Sequence, residues 1–256
     1  MTCASQFRWT SSAHSDPGRV REINEDACLD QSDLGRWAVA DGMGGHAVGD
    51  LASRLVIDAL ARLTSPVSMK AFVADARSRL QSANRQLREE AARRQVQRIG
   101  STVVALLACD RFCGYVWAGD SRLYLLREGS LRQLTRDHSQ VEALKSLGVI
   151  TEEEARHHPA QHMITRAVGA TDVLELDDDA IEVMDGDVFL LCSDGLSNEV
   201  GEEDMLAVLS KAANANASEE LVELALARGG RDNITAVVVR AEDPNASDKT
   251  LLNPSP

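Results

Sequence analysis

The order of apolar and polar positions divides the chain into two kinds of segment. Short runs rich in Val, Leu, Ile and Ala read as strands: Arg36 to Ala40, Thr102 to Ala108, Cys113 to Ala118, Arg122 to Arg127, Leu131 to Leu134, Val188 to Ser193 and Ile234 to Arg240. Phe7 to His14 reads as a first strand, with Phe7 and Trp9 on one face. Elsewhere the period is helical. Leu51, Leu55, Val56, Ala59, Leu60 and Leu63 predict an amphipathic helix over Val48 to Leu63. Ser68 to Arg98, Glu202 to Ala213 and Ser218 to Arg228 predict three more, the last stopped by Gly229-Gly230. Two short helices are expected at Ser139 to Leu147 and Thr151 to His158, the second opened by the capping pattern Thr151-Glu152-Glu153-Glu154. Asp110-Arg111 and Gly119-Asp120-Ser121 read as hairpin turns between consecutive strands. The strands therefore follow one another as an antiparallel meander, without βαβ alternation.

Length and charge narrow the function classes. A chain of 256 residues suits one well-buried domain, here 1–241, with a tail at 242–256 expected to be disordered. Aromatics make up only 4% of it, so the core must be aliphatic. A net charge of −13 argues against nucleic acid as a partner. No apolar run approaches the ~20 residues that cross a bilayer, so no membrane insertion is expected. Met1 to Trp9 carries no readable signal peptide, which points to the cytoplasm. A monomer is expected. The five cysteines form no Cys-x-x-Cys pair and read as reduced thiols, small apolar residues outside any zinc site.

Three biased stretches have plain readings. The arginines from Arg77 to Arg98 read as a solvated helix face, with a docking face for an acidic partner as the alternative. Asp172 to Asp187 holds eight acidic residues and no basic one, and reads as a solvated edge strand with a loop. His138, His157, His158 and His162 fall between Asp137 and Gly169, where a mobile flap at about 139–165 fits better than a transition-metal cluster.

The candidate chemistry starts at Asp41-Gly42-Met43-Gly44-Gly45-His46, where a strand delivers an acid onto backbone nearly free of side chains. Asp194 also follows an apolar strand, Asp232 precedes one, and Asp120 sits in a turn. Taken singly, each is a turn signal. Together they are hard oxygen donors without Cys or His at matching spacing, which suits Mg²⁺ or Mn²⁺. Asp41 is placed to bridge two ions, with the Gly42 carbonyl reaching one. Two metals ~3.5–4 Å apart lower the pKa of a shared water towards neutrality. Arg21 offers a planar fork to phosphate, and Glu25 and Asp26 fit an outer shell that holds water. Taken alone, Arg21 to Asp26 reads as a solvated loop. Thiol phosphatase, Asp-x-Asp-x-Thr/Val and P-loop patterns are absent. Gly42 to Ala47 satisfies Gly-x-Gly-x-x-Ala, but Asp41 would set a negative charge beside a pyrophosphate, and a second helix follows where a parallel strand is needed.

The motifs Arg21-x-x-Asn24-Glu25-Asp26, Asp41-Gly42-Met43-Gly44-Gly45, Gly119-Asp120-Ser121-Arg122, Thr165-Arg166-Ala167-Val168-Gly169, Ser193-Asp194-Gly195-Leu196 and Asp232-Asn233-Ile234-Thr235 occur in that order. Together they resemble the metal-dependent PP2C-type (PPM) Ser/Thr protein phosphatases in their compact bacterial form. The resemblance runs from about residue 7 to 240. It implies an α+β fold, a sandwich of two antiparallel sheets with helices on both outer faces. It also implies a binuclear Mn²⁺ or Mg²⁺ centre on Asp41, Asp194, Asp232 and the Gly42 carbonyl. Asp120 resembles the ligand of a third ion, Arg21 the phosphate-binding arginine, and about 139–165 the variable flap. The implied activity is direct hydrolysis of phosphoserine and phosphothreonine in proteins, opposing a bacterial Ser/Thr kinase. The compact chain is similar to the phosphatases found beside type VI secretion kinases. Met43 stands where eukaryotic members place a histidine proposed as general acid, which leaves the proton donor unassigned. The alternatives are a catalytically silent phosphoprotein-binding module and a hydrolase of small phosphoesters.

Overall fold

A strand that is apolar at every position needs cover on both faces, and this fold supplies it. The structure is a computed structural model and describes residues 6–44, 48–156, 158–161, 163–211 and 215–246. One antiparallel sheet has the order β1 (Arg8–Asp16), β11 (Ile234–Glu242), β10 (Val188–Cys192), β7 (Arg122–Arg127), β8 (Ser130–Gln133). The other runs β2 (Asp26–Gln31), β3 (Arg36–Met43), β5 (Val103–Cys109), β6 (Phe112–Ala118), β9 (Asp177–Glu182), and the two-residue β4 (Gly100–Ser101) extends the pairing of β3.

Alternation along each strand decides which layer a side chain joins. Trp37, Val39, Val104, Leu106, Phe189, Leu191, Val237 and Val239 meet between the sheets. Their neighbours Ala38, Ala40, Val103, Ala105 and Leu107 face outward under α1 (Gly49–Ala61) and α2 (Met69–Arg94). On the opposite side Val188, Leu190, Cys192, Ala236 and Val238 lie under α6 (Glu202–Leu209) and α7 (Ala217–Arg228). The result is the expected helix–sheet–sheet–helix sandwich. Three short helices, α3 (Gln140–Ser146), α4 (Glu152–Arg156) and α5 (Asp194–Ser197), complete the elements.

Local chemistry sets the helix ends. The Ser68 hydroxyl accepts the Ala71 N–H at 3.2 Å and opens α2. Gln95 turns left-handed, at φ 58°, and closes it short of the expected Arg98. Before α4, the Thr151 N–H donates to Glu154 at 2.7 Å and the Glu154 N–H donates to Thr151 Oγ1 at 3.2 Å, a reciprocal capping box.

Four expectations need correction. Gly119-Asp120-Ser121 is not a hairpin turn: β6 and β7 belong to different sheets, so the segment carries the chain across the sandwich. A turn signal marks a reversal without saying which sheet the next strand joins. Secondly, β3 continues through Asp41 to Met43, because Asp26 pairs with Asp41 and Gly42 with Ser101. The Arg21 to Asp26 stretch is accordingly no solvated loop throughout, since Asp26 opens β2 and is buried. Thirdly, Cys109 is disulfide-bonded, whereas Cys28, Cys113 and Cys192 are free thiols; a count of cysteines carries no information on which pairs meet. Fourthly, the arginine face of α2 is not simply solvated. Arg77 pairs with Asp178 and Arg88 with Asp172, Arg77 also donates to the Leu176 carbonyl at 3.0 Å, and Gln81 donates to the Leu174 carbonyl at 2.7 Å. The basic helix therefore grips the acidic stretch leading into β9. Among the described residues no helix is long and apolar enough to cross a membrane. Cys3, Gly45, His46, His157, His162 and 247–256 lie outside the described residues.

Candidate metal centre

The site is assembled from strand ends of both sheets. β3 brings Asp41, whose N–H donates to Thr102 Oγ1 at 2.9 Å and whose carbonyl accepts the Thr102 N–H at 2.8 Å. Gly42 follows, with its N–H on the Glu25 carbonyl at 3.1 Å. A Cβ on Gly42 would run into the Gly49 carbonyl oxygen, so only glycine fits. One Glu25 carboxylate oxygen accepts the Gly49 N–H at 3.2 Å, at the start of α1.

Asp26 lies opposite Asp41 in the β2–β3 ladder. Its Oδ2 accepts from the Ser193 and Thr235 hydroxyls, each at 2.7 Å, while its Oδ1 is buried without a hydrogen-bond partner. Asp194 stands in the first turn of α5 and accepts from Asn198 Nδ2 at 3.2 Å. Asp232 precedes β11 and accepts from Arg21 Nη2 at 2.8 Å. Asp120 lies on the crossover from β6 to β7, between Gly119 and Ser121.

Three of these carboxyls, Asp26, Asp41 and Asp120, are buried and feel the charges of their acidic neighbours. Burial, then Asp26, Asp194, Asp120 and Asp232, push the Asp41 carboxyl well above its ordinary value. Burial pushes Asp26 up to about 7, against the two hydroxyls that lower it, and Asp194 and Asp232 add to the rise. Burial, Asp194 and Asp137 push Asp120 up to about 7. A cluster of acids that burial and mutual repulsion hold from ionising is relieved by a cation of high charge. The donor set is all oxygen and Asp26 Oδ1 is a buried acceptor without a donor, so a hard divalent ion fits these residues. Among the described residues no three His, Cys, Asp or Glu side chains stand gathered at ligand distance. Asp232 is turned to Arg21 and Asp194 to Asn198 instead.

Three residues to which the sequence assigned no role hold this frame. Asn233 donates to the Pro17 and Ile23 carbonyls, each at 2.9 Å, and accepts the Glu25 N–H at 2.8 Å, pinning the Arg21 loop to β11. Thr102 Oγ1 lies 2.7 Å from Ser121 Oγ and ties the Asp41 strand to the Asp120 crossover. His138 is buried against Trp117, rings 5.9 Å apart and 7° from parallel, and is no part of a histidine cluster among the described residues. Asn233 lies inside a motif, but Thr102 lies in none and His138 stood out only as one of the histidines between Asp137 and Gly169.

The family model described as Protein phosphatase 2C matches residues 18–228. The serine/threonine protein phosphatase PstP of Mycobacterium tuberculosis is 40% identical over 232 residues, which is 90% of this chain and 45% of that protein. The chain thus spans about half the length of that relative. Among solved structures, PppA, a key regulatory component of T6SS in Pseudomonas aeruginosa, superposes with a TM-score of 0.85 at 44% identity, covering 94% of this chain and 100% of that one. The catalytic domain of PstP in complex with two manganese ions superposes with a TM-score of 0.84 at 38% identity, covering 93% and 100%.

Proposed function

The chain belongs to the protein phosphatase 2C family, and from that premise we propose that it hydrolyses phosphoserine and phosphothreonine in proteins with a binuclear Mn²⁺ or Mg²⁺ centre. Asp41, Asp194, Asp232 and the Gly42 carbonyl would hold the two ions, Asp120 a third, and Glu25 and Asp26 would stand outside them. The observation that carries this reading is the buried Asp41 carboxyl, which burial and then the charges of Asp26, Asp194, Asp120 and Asp232 raise well above its ordinary value. The ions, when bound, supply Lewis acidity and a nucleophile at neutral pH.

The chain's own residues do the rest. Arg21, about half exposed and lightly held by Asp232, presents a guanidinium fork to the phosphoryl oxygens. Asn233 keeps the Arg21 loop in register with Asp232, so the phosphate grip and a metal ligand move together. Thr102 fixes the backbone of Asp41 through two hydrogen bonds, and Gly42 lets the main chain approach Gly49 without a side chain between them. The physiological partner we assign is a phosphorylated Ser/Thr protein downstream of a Ser/Thr kinase, in line with the likeness to the T6SS regulator PppA. The test is release of phosphate from a phosphothreonine peptide with Mn²⁺. Activity that disappears in Asp41→Asn and Asp232→Asn supports the reading. No hydrolysis by the parent chain, or hydrolysis indifferent to both substitutions, rejects it.

A further inference from the structure

Gly119 turns with φ +114°, a conformation that favours glycine, and a Cβ there would strike the Thr102 side chain. On its other side stands His138. The His138 N–H donates to the Gly119 carbonyl at 2.9 Å, and the Gly119 N–H donates to His138 Nδ1 at 3.2 Å. One residue therefore grips both polar groups of the amino acid before Asp120.

The imidazole itself is fixed on every side. It stacks on Trp117, whose Nε1–H donates to the Arg136 carbonyl at 2.9 Å. Because Nδ1 accepts from Gly119, the neutral ring carries its proton on Nε2, which donates to Asp177 Oδ2 at 3.1 Å and has Arg166 Nη1 3.2 Å away. The charged groups facing the ring are Asp177 on β9, Arg166 on the returning loop and the neighbouring Asp137. Burial holds the ring below its ordinary value, which keeps it neutral as this geometry requires.

The same residue closes the base of the 139–165 segment. The Thr165 N–H donates to the His138 carbonyl at 2.7 Å, Ser139 bridges to Ile164, and the Gln140 N–H donates to the Met163 carbonyl at 2.8 Å. We propose that His138 is a positioning residue: by clasping Gly119 it sets where the Asp120 carboxylate stands and joins that carboxylate to the base of the flap. The proposal rests on the reading above that Asp120 serves a further cation.

Two amide substitutions separate the clasp from simple packing, because both remove the stacked ring. In His138→Asn the side-chain oxygen takes the place of Nδ1 and still accepts from Gly119. In His138→Gln the amide reaches towards Asp177 and leaves the Gly119 N–H without its acceptor. Full-length protein is titrated with MnCl₂ by calorimetry, and exchange of the Gly119 amide is followed by NMR. The parent should show a weak Mn²⁺ site that Asp120→Asn removes. His138→Asn should keep that site within about twofold, and His138→Gln should weaken it about tenfold, the scale of one buried N–H left unpaired. Gly119 exchange should stay slow in the first variant and rise about tenfold or more in the second. Equal behaviour of the two variants, or parent-like behaviour of His138→Gln, overturns the proposal. If Asp120→Asn leaves the Mn²⁺ titration unchanged, the third-cation reading fails, and Gly119 exchange alone then decides the clasp.

Discussion

Replacing Asp26 by Asn should flatten the pH dependence of stability in the cation-free protein. The carboxyl is buried, with Oδ2 bonded to Ser193 and Thr235 and Oδ1 unpaired, and burial raises it from 3.8 to about 7. Below pH 3.8 the group is neutral in the folded and unfolded chains alike. As pH rises from 3.8 to 7 the unfolded chain ionises while the folded chain keeps its proton. The folded state then binds more protons, so stability falls through that window and is lost once the folded carboxyl ionises. A displacement of that size corresponds to on the order of 4 kcal/mol. His138, held low by burial, works in the opposite sense below 6.5. Comparing the parent with Asp26→Asn cancels that contribution. Asn is neutral throughout; it removes the charge that raises Asp41, which acts in the same direction, and its own unpaired N–H adds a pH-independent offset of about 1–3 kcal/mol. The assay is urea unfolding in EDTA from pH 4 to 8, followed by tryptophan fluorescence. The stability difference between the two proteins should shift in favour of Asp26→Asn by on the order of 4 kcal/mol between the ends of that range. At pH 7.5, Mn²⁺ at a hundredfold excess over its Kd should return about 2.7 kcal/mol to the parent. Parallel stability curves, or a difference moving the other way, would refute the assignment of a strained buried carboxyl.

Two further substitutions probe the frame. Gly42→Ala forces a Cβ into the Gly49 carbonyl, and should cost about 1–3 kcal/mol by overpacking; calorimetry should show weaker Mn²⁺ binding together with the lower Tm. Asn84→Leu strips the Gly169 N–H and the Thr171 carbonyl of partners now at 2.6 and 3.0 Å. It should lower stability by about 2–4 kcal/mol in urea melts, far more than Arg88→Ala, which breaks an exposed pair with Asp172 worth about 0–1 kcal/mol.

Periodicity alone placed most of the elements, because the layers bury strands on both faces and helices on one. Val103–Cys109 and Val188–Cys192 could only be core strands; the helical period of α1 called for one covered face, which Ala52, Val56, Ile57 and Leu60 provide while Leu51 and Leu55 stay half-buried. The candidate ligands stood out in sequence as Asp residues within ordered motifs. What the one-dimensional pattern left open is where chains that reverse go next and which distant charges meet. It could not show that Gly119 to Ser121 crosses between sheets, that the arginines of α2 close on the acidic run at 172–178, or that Asp26 is buried opposite Asp41 rather than solvated. Asn233 and His138 act through hydrogen bonds to backbone atoms far away in sequence, and such bonds leave no periodic trace. Propensity and alternation are local properties, which the chain carries in its order. Proximity of like charges, and the burial that raises their carboxyls, exists only once the two sheets have packed.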